Sequence, residues 1–434
     1  MWVERLGLVW GPPSPRRSVD GRRCLFGVDG VSGEGFCSRR PVRLMRVLML
    51  SWEYPPNIIG GIARHVDELS RFLSKRGVEV TVVTPEASGS PLAEVREGVN
   101  VVRVQIQTPA PNFYNWIFLM NHFFSKKIAR LIKEQGPFDV VHGHDWMVVP
   151  SACEAKHYTS SQFMLTFHSL EFRRSQGSQT LESRMIESLE WWGSYDSSKI
   201  IVCSRSMADD VRRRLNVDAN KIAIIPNGID LGRLSVKVDI SRTREKYGVY
   251  WKELMILFVG RLTSQKGCEY LIRALPKILE KHNVKLVVVG DGPSRSFLES
   301  EAYRLGVSNR VVFTGFLADE EMIRLIKSAD VLVVPSIYEP FGIVALEGMA
   351  AGVPVVASDV DGLSEIIRHE ENGVKVYPQD PSSISWGVDR VLSDTRLAER
   401  LREKGRETAE REFSWSAIAE KTEDLYKSLI GEGC

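Results

Sequence analysis

Short, almost uninterrupted runs of Val, Ile and Leu recur along this chain, each followed by a helical stripe, and that alternation restricts the fold most. Arg46-Val-Leu-Met-Leu-Ser-Trp52 leads into Ile62, Val66, Leu69 and Leu73, spaced for one helix face and ended at Gly77. Val78–Thr84, Phe138–His142, Gln162–Phe167 and Lys199–Cys203 continue the series. The apolar pattern lapses between about residue 230 and Lys252. It restarts with Leu254–Val259, Val284–Val289, Arg310–Phe313, Asp330–Val334 and Val353–Ala357. Strands apolar on both faces need cover on both sides, which parallel sheets with crossover helices supply. The chain therefore reads as α/β, with two doubly wound, Rossmann-like domains facing across a cleft.

Residues 1–44 do not share this pattern. They carry eight arginines, no lysine and no period, and Glu4, Asp20, Asp29 and Glu34 argue against an organellar transit peptide. A secretory signal fails for want of an apolar stretch. We expect a disordered or non-native N-terminal extension, with Met45 as the start of the folded chain. Without it the chain has 49 basic and 51 acidic residues, so the formal charge of +2 over 434 residues is no nucleic-acid signature. No apolar run approaches the roughly 20 residues of a membrane span. Cys24, Cys37, Cys153, Cys203, Cys268 and Cys434 form no CxxC pair. A reducing, cytoplasmic location without structural zinc or disulfides is expected.

Ligands of doubly wound sheets sit beyond the carboxyl ends of the strands, and the unusual residues gather there. Gly60-Gly61 follows the first strand, a turn that lets backbone approach a phosphate. His142, His144 and Asp145 follow another, and His168 follows the next. In the second half, Arg261 and Lys266 pair a guanidinium fork with a point charge, which suits a diphosphate; alone they would pass for surface charges. Gly290-Asp-Gly-Pro293 follows the next strand. Glu339-Pro-Phe-Gly342-Ile-Val-Ala-Leu-Glu347 runs from strand end into helix. The amides of Gly342 and Ile343 offer an anion site, and Glu347 can accept from a ribose diol. Glu339 is left free to face a sugar, and His168 beside Asp145 is a candidate substrate contact.

In this order, Gly60-Gly61, His142-Gly-His-Asp-Trp146, Thr166-Phe-His168, Pro226-Asn-Gly-Ile-Asp230, Gly260-Arg-Leu with Lys266, Gly290-Asp-Gly-Pro293 and Glu339 with Glu347 resemble the motifs of retaining GT-B glycosyltransferases. The chain is most similar to family 4, next to bacterial and archaeal glycogen synthases, from about Met45 onward. The resemblance implies an N-terminal acceptor-side domain (45–235), a nucleotide-sugar-binding domain (236–412) and a C-terminal crossover helix (413–434) opening at Phe413-Ser-Trp415. It assigns the donor diphosphate to Arg261, Lys266, Gly60, Gly61, Gly342 and Ile343, and the ribose to Glu347. Glu339, His168 and Asp145 become the candidate catalytic residues. Two positions depart from the pattern. Ile58 stands where neighbouring glycogen synthases carry a lysine, and Asp361 where paired glycines are usual.

The resemblance implies a retaining transferase that moves a hexose, glucose in our reading, from a UDP-, ADP- or GDP-sugar to an α-glucan. No cofactor and no metal are expected, and Asp359-Val-Asp361 is read as a loop. A lipid-linked or small-molecule acceptor is the alternative, since Asn112–Phe124 followed by Lys126, Lys127, Arg130 and Lys133 suits either a packed helix or peripheral membrane contact. A sugar-nucleotide epimerase shares the fold but would not carry Glu339 and Glu347 with Arg261 and Lys266. A dinucleotide oxidoreductase would need GxGxxG after a first strand. A noncatalytic sugar-binding protein stays open at this level.

Overall fold

The computed structural model describes residues 44–431; the expectations for the N-terminal extension fall outside that range. The first sheet holds β1 (Arg46–Leu50), β2 (Glu79–Pro85), β3 (Ala93–Arg96), β4 (Val99–Val104), β5 (Val140–His144), β6 (Gln162–Phe167), β7 (Lys199–Val202) and β8 (Ile222–Ile224). Their spatial order is β3-β4-β2-β1-β5-β6-β7-β8, parallel except where β3 runs against β4. The second sheet holds β9 (Leu254–Val259), β10 (Val284–Val289), β11 (Val311–Gly315), β12 (Val331–Val334), β13 (Val355–Ser358) and β14 (Val374–Val376). All its pairs are parallel, in the order β11-β10-β9-β12-β13-β14.

Val47, Leu48, Met49 and Leu50 are consecutive and wholly buried, so β1 is covered on both faces as its sequence required. In each sheet the order reverses at the first strand. β1 lies between β2 and β5, and β9 between β10 and β12. Crossovers leave these points in opposite directions and open a crevice at the strands' carboxyl ends.

Periodicity did not find β3, β4, β8 or β14. β8 and β14 have three residues each, too few for an alternation to register, and β3 is an edge strand with no buried position. The charged lapse contains a helix, Ile240–Lys246, held by polar contacts rather than an apolar stripe. Arg244 Nη2 lies 2.9 Å from Asp330, and the Tyr247 hydroxyl donates to Glu321 at 2.7 Å.

Four helices carry the rest of the argument: α1 (Gly61–Lys75), α2 (Phe113–Gln135), α3 (Ile343–Ala350) and α4 (Trp415–Ile430). α2 buries Ile117, Met120, Phe124, Ile128 and Leu131 on one face and exposes Phe118, Lys126 and Lys133 on another, the pattern of a helix packed against a sheet. Among the described residues no helix is long and apolar enough to cross a membrane. Cys153, Cys203 and Cys268 are buried and unpaired.

α4 returns to the first half. Ile229 N–H donates to the Phe413 carbonyl at 2.7 Å, and Arg76 Nε donates to Glu423 at 2.5 Å. The Tyr426 hydroxyl pairs with His142 Nδ1 at 2.7 Å. Trp415, Ile418, Ala419 and Tyr426 thereby join Val47, Met49, Val66 and Leu69 in one buried cluster. Gly228 leaves room for the indole: a Cβ there would lie 2.6 Å from Trp415 Cδ2 and 3.0 Å from its Cα. Ring and backbone cannot both yield. Gly228→Ala should therefore destabilise the protein by about 1–3 kcal/mol, the usual range for overpacking; a urea midpoint unchanged from wild type would refute this packing.

Candidate functional site

Beyond β9, the loop carrying Arg261 and Lys266 is braced by the loop beyond β10. Leu262 N–H donates to the Asp291 carbonyl at 2.9 Å, and Ser294 N–H to the Leu262 carbonyl at 3.0 Å. Gly290-Asp-Gly-Pro293 thus acts as a support for the cationic loop. Lys266 Nζ donates to Glu339 Oε2 at 2.6 Å, and the Ser336 hydroxyl donates to the same oxygen at 3.1 Å. Arg261 is exposed and makes no ion pair among the described residues. The Asp359 and Asp361 carboxylates have separate partners: Lys375 Nζ at 2.8 Å from Asp359, and the Ser206 hydroxyl and Glu339 N–H on Asp361. Asp361 is the first residue of a short helix (Asp361–Ile366), so the triplet read as a loop runs from a strand end into a helix.

Gly342 opens α3 at φ +114°, a conformation disfavoured for any residue with a side chain. The first amides of α3, Ile343 included, have no partner within the helix. One turn inside, Glu347 is only 1% exposed. Its Oε1 accepts from Arg64 Nη1 at 2.9 Å, with Arg233 Nη1 at 3.8 Å, while its buried Oε2 has no hydrogen-bond partner. Burial pushes this carboxyl above its ordinary pKa, and Arg64 and Arg233 oppose the shift. Arg64 and Arg233 both also reach Asp319.

Across the cleft, Gly60 caps α1, and a Cβ on Gly61 would sit 3.5 Å from Ile343 Cδ1. The two halves meet at these residues. The Gly60 amide, however, is already engaged. Glu53, 1% exposed, accepts from the N–H groups of Ile59 at 2.7 Å and Gly60 at 2.8 Å. Burial raises the Glu53 carboxyl, and these amides draw it back.

Asp145, at the end of β5, is buried with φ +66°. Its Oδ1 accepts from Trp146 N–H at 3.0 Å, and Arg174 Nη1 stands 3.7 Å from Oδ2. Burial lifts its pKa, and Arg174 is the chief opposing influence. Arg174 also bonds Glu190 Oε1 at 2.9 Å and Glu171 Oε2 at 3.1 Å, so the segment from Glu171 is pinned to the fold. Half-buried His168 lies beside His144, 3.4 Å from its Nδ1 to His168 Nε2. Burial holds the imidazoles of His65, His142, His144 and His168 below their usual pKa, to about 4 for His65 and about 3 for His142.

Of the residues singled out in the sequence, Lys266 and Glu339 come together ahead of Gly342 to Glu347, whereas Asp145 is held by Arg174 and His168 by His144. Gly61 against Ile343 and Arg64 on Glu347 link the two halves. Sequence reasoning missed Arg64, Arg233, Asp319 and Glu53. The one available signal for Arg64 was its position in the first turn of α1, three residues after Gly61.

Arg64→Ala leaves Glu347 buried with the more distant Arg233. Arg64 is itself partly exposed, so the loss should be about 1–3 kcal/mol, below the range for a fully buried pair. Urea denaturation checks this. Replacing Glu347 as well, by Gln, should recover part of the loss; a wild-type midpoint for the single variant would show that the cross-cleft pair does not hold.

Two family models match the chain: "Glycosyl transferases group 1" over residues 239–408 and "Glycosyltransferase Family 4" over residues 59–233. An uncharacterized glycosyltransferase of Methanocaldococcus jannaschii is 44% identical over 386 residues, covering 88% of this chain and 98% of that protein. A glycogen synthase of Mycobacterium tuberculosis is 34% identical over 399 residues, covering 88% and 94%. Among solved structures, the sucrose-phosphate synthase of Thermosynechococcus elongatus superposes with a TM-score of 0.78 at 26% identity, over 90% of this chain and all of that one.

Proposed function

Since the chain belongs to the family 4 (group 1) glycosyltransferases of the GT-B fold, we propose that it transfers glucose from a nucleoside diphosphate donor to an α-glucan with retention of configuration. The observation that carries this reading is the Lys266–Glu339 pair at 2.6 Å, set at the strand ends beside the N-terminus of α3. Lys266 is the joint of the site. Its ammonium can neutralise a departing diphosphate while it holds Glu339 against the hydroxyls of the donor sugar.

Leaving-group charge is then met by the Arg261 guanidinium, the Lys266 ammonium and the amides at Ile343, fixed donors aimed where charge develops. The unpartnered Oε2 of Glu347 is a natural acceptor for a ribose hydroxyl. Asp145 and His168 bound the sugar from the first half, and His168, neutral at pH 7, can both donate and accept. The α-glucan acceptor rests on likeness to the glycogen synthase above; Ile58 sets the chain apart from neighbouring glycogen synthases, and a lipid-linked or small sugar acceptor is the competing outcome.

The test is product analysis with UDP-, ADP- and GDP-glucose against glycogen, maltooligosaccharides and lipid-linked sugars. We expect chain extension of the glucan with α-linked glucose, removable by an α-specific glucosidase. β-Linked product would overturn retention, and transfer to a lipid-linked sugar alone would overturn the acceptor.

Glu339→Ala should lower turnover by about 10²-fold or more with the fold intact, because the contact is made in the transition state; turnover within about threefold of wild type would refute the role. Arg261→Ala and Lys266→Ala should each weaken the binding of nucleoside diphosphate by about 1.5–3 kcal/mol, the value of a hydrogen bond to a charged group. Calorimetry reads this directly, and equal affinity in all three proteins would refute the diphosphate assignment.

A further inference from the structure

Four histidines meet at the centre of the first sheet, and the transfer reaction uses one of them. His65 comes from the first turns of α1, His142 and His144 from β5, and His168 from the end of β6. Ring centroids lie 4.7 Å apart for His65 and His168, and 5.3 Å for His65 and His144. His142 is satisfied at both nitrogens, by Tyr426 and Thr166, each at 2.7 Å. The other three are not. His65 Nε2 and His144 Nε2 are buried without a hydrogen-bond partner, on residues 4% and 0% exposed. A buried orphan nitrogen costs about 1–3 kcal/mol, so the unpartnered Nε2 of His65 calls for a ligand.

The His65 tautomer identifies what that ligand offers. Its Nδ1 lies 2.6 Å from Asn227 Oδ1, an acceptor, so Nδ1 carries the proton and Nε2 is a bare lone pair. One nitrogen from each of His65, His144 and His168 lies within 4.8 Å of the others. The 3.4 Å between His144 Nδ1 and His168 Nε2 already matches the edge of about 3.3 Å that metal–nitrogen bonds near 2.0–2.1 Å give in a tetrahedron, so His144 would ligate through Nδ1 and keep its proton on Nε2. Asn227 supplies the outer hydrogen bond that a ligating imidazole usually has. We propose that His65, His144 and His168 form a binding site for a divalent late transition metal such as Zn2+ or Co2+. Three neutral imidazoles with no carboxylate among them suit such ions and not Mg2+ or Ca2+. An ion held there withdraws His168 from the donor sugar, so the site opposes transfer rather than serving it; that last clause rests on the functional reading above, but metal binding does not.

The test uses the full chain freed of metal by a chelator and titrated with Co2+ at neutral pH, followed by visible absorption and calorimetry. We expect one ion per chain with the intense bands of four-coordinate cobalt, displaced by Zn2+. His65→Gln and His144→Gln should each weaken binding, and Asn227→Ala, which keeps all three rings, should do so by about 10–100-fold. His122→Gln, on the exposed face of α2, should bind as wild type does. Circular dichroism identifies any variant that fails to fold, and Asn227→Ala then decides. Absence of stoichiometric Co2+ binding to the wild-type chain, or wild-type affinity in every folded variant of His65, His144 and Asn227, would overturn the proposal.

Discussion

A parallel sheet buried on both faces has only its strand ends to offer a ligand, and everything functional in this chain follows from that restriction. Strand interiors such as Val47–Leu50 and Leu286–Val289 are closed to chemistry because helices cover both sides. Polar side chains can be accommodated where the strands stop, above all where the strand order reverses. Gly60-Gly61, Asp145 and His168 stand at one such reversal, and Arg261, Lys266 and Glu339 at the other. The site is assembled from two crevices rather than carved into either sheet.

Apart from exposed Arg261, its charges are already compensated within the protein. Lys266 holds Glu339, Arg64 and Arg233 hold Glu347 and Asp319, Arg174 holds Asp145 and Glu190, and Glu53 takes the Gly60 amide. Bare ions in so enclosed a place would carry a desolvation penalty of several kcal/mol each. On the proposed reading a diphosphate competes with Glu339 for Lys266, while a ribose hydroxyl finds Glu347 Oε2 still open.

The fold was legible in the sequence because burial on both faces writes itself as runs of Val, Ile and Leu. β1, β9 and β10 could hardly be misread, while the three-residue β8 and β14 are too short to show any period. Of the site, Lys266, Glu339 and Glu347 were legible since each sits at a fixed offset from a strand. Arg64 was not: its partner Glu347 lies 283 positions away, and no local pattern links them. Glu53 was not singled out, since the Gly60 amide that donates to it lies seven positions on and no local pattern marks the contact. His65 was not singled out either, since the imidazoles beside it belong to other elements.

The last helix has a consequence for biosynthesis. Trp415 and Tyr426 are built into the same cluster as Met49 and Leu69, so the first sheet takes part of its core from residues about 370 positions further along the chain. During translation the amino-terminal half emerges early but cannot close over that seam, for the completing segment is still within the ribosome. Domains commonly fold in the order of their synthesis. Here the earlier-made half waits on the later-made one for its core, and a chain cut before Trp415 would be left open at its first sheet.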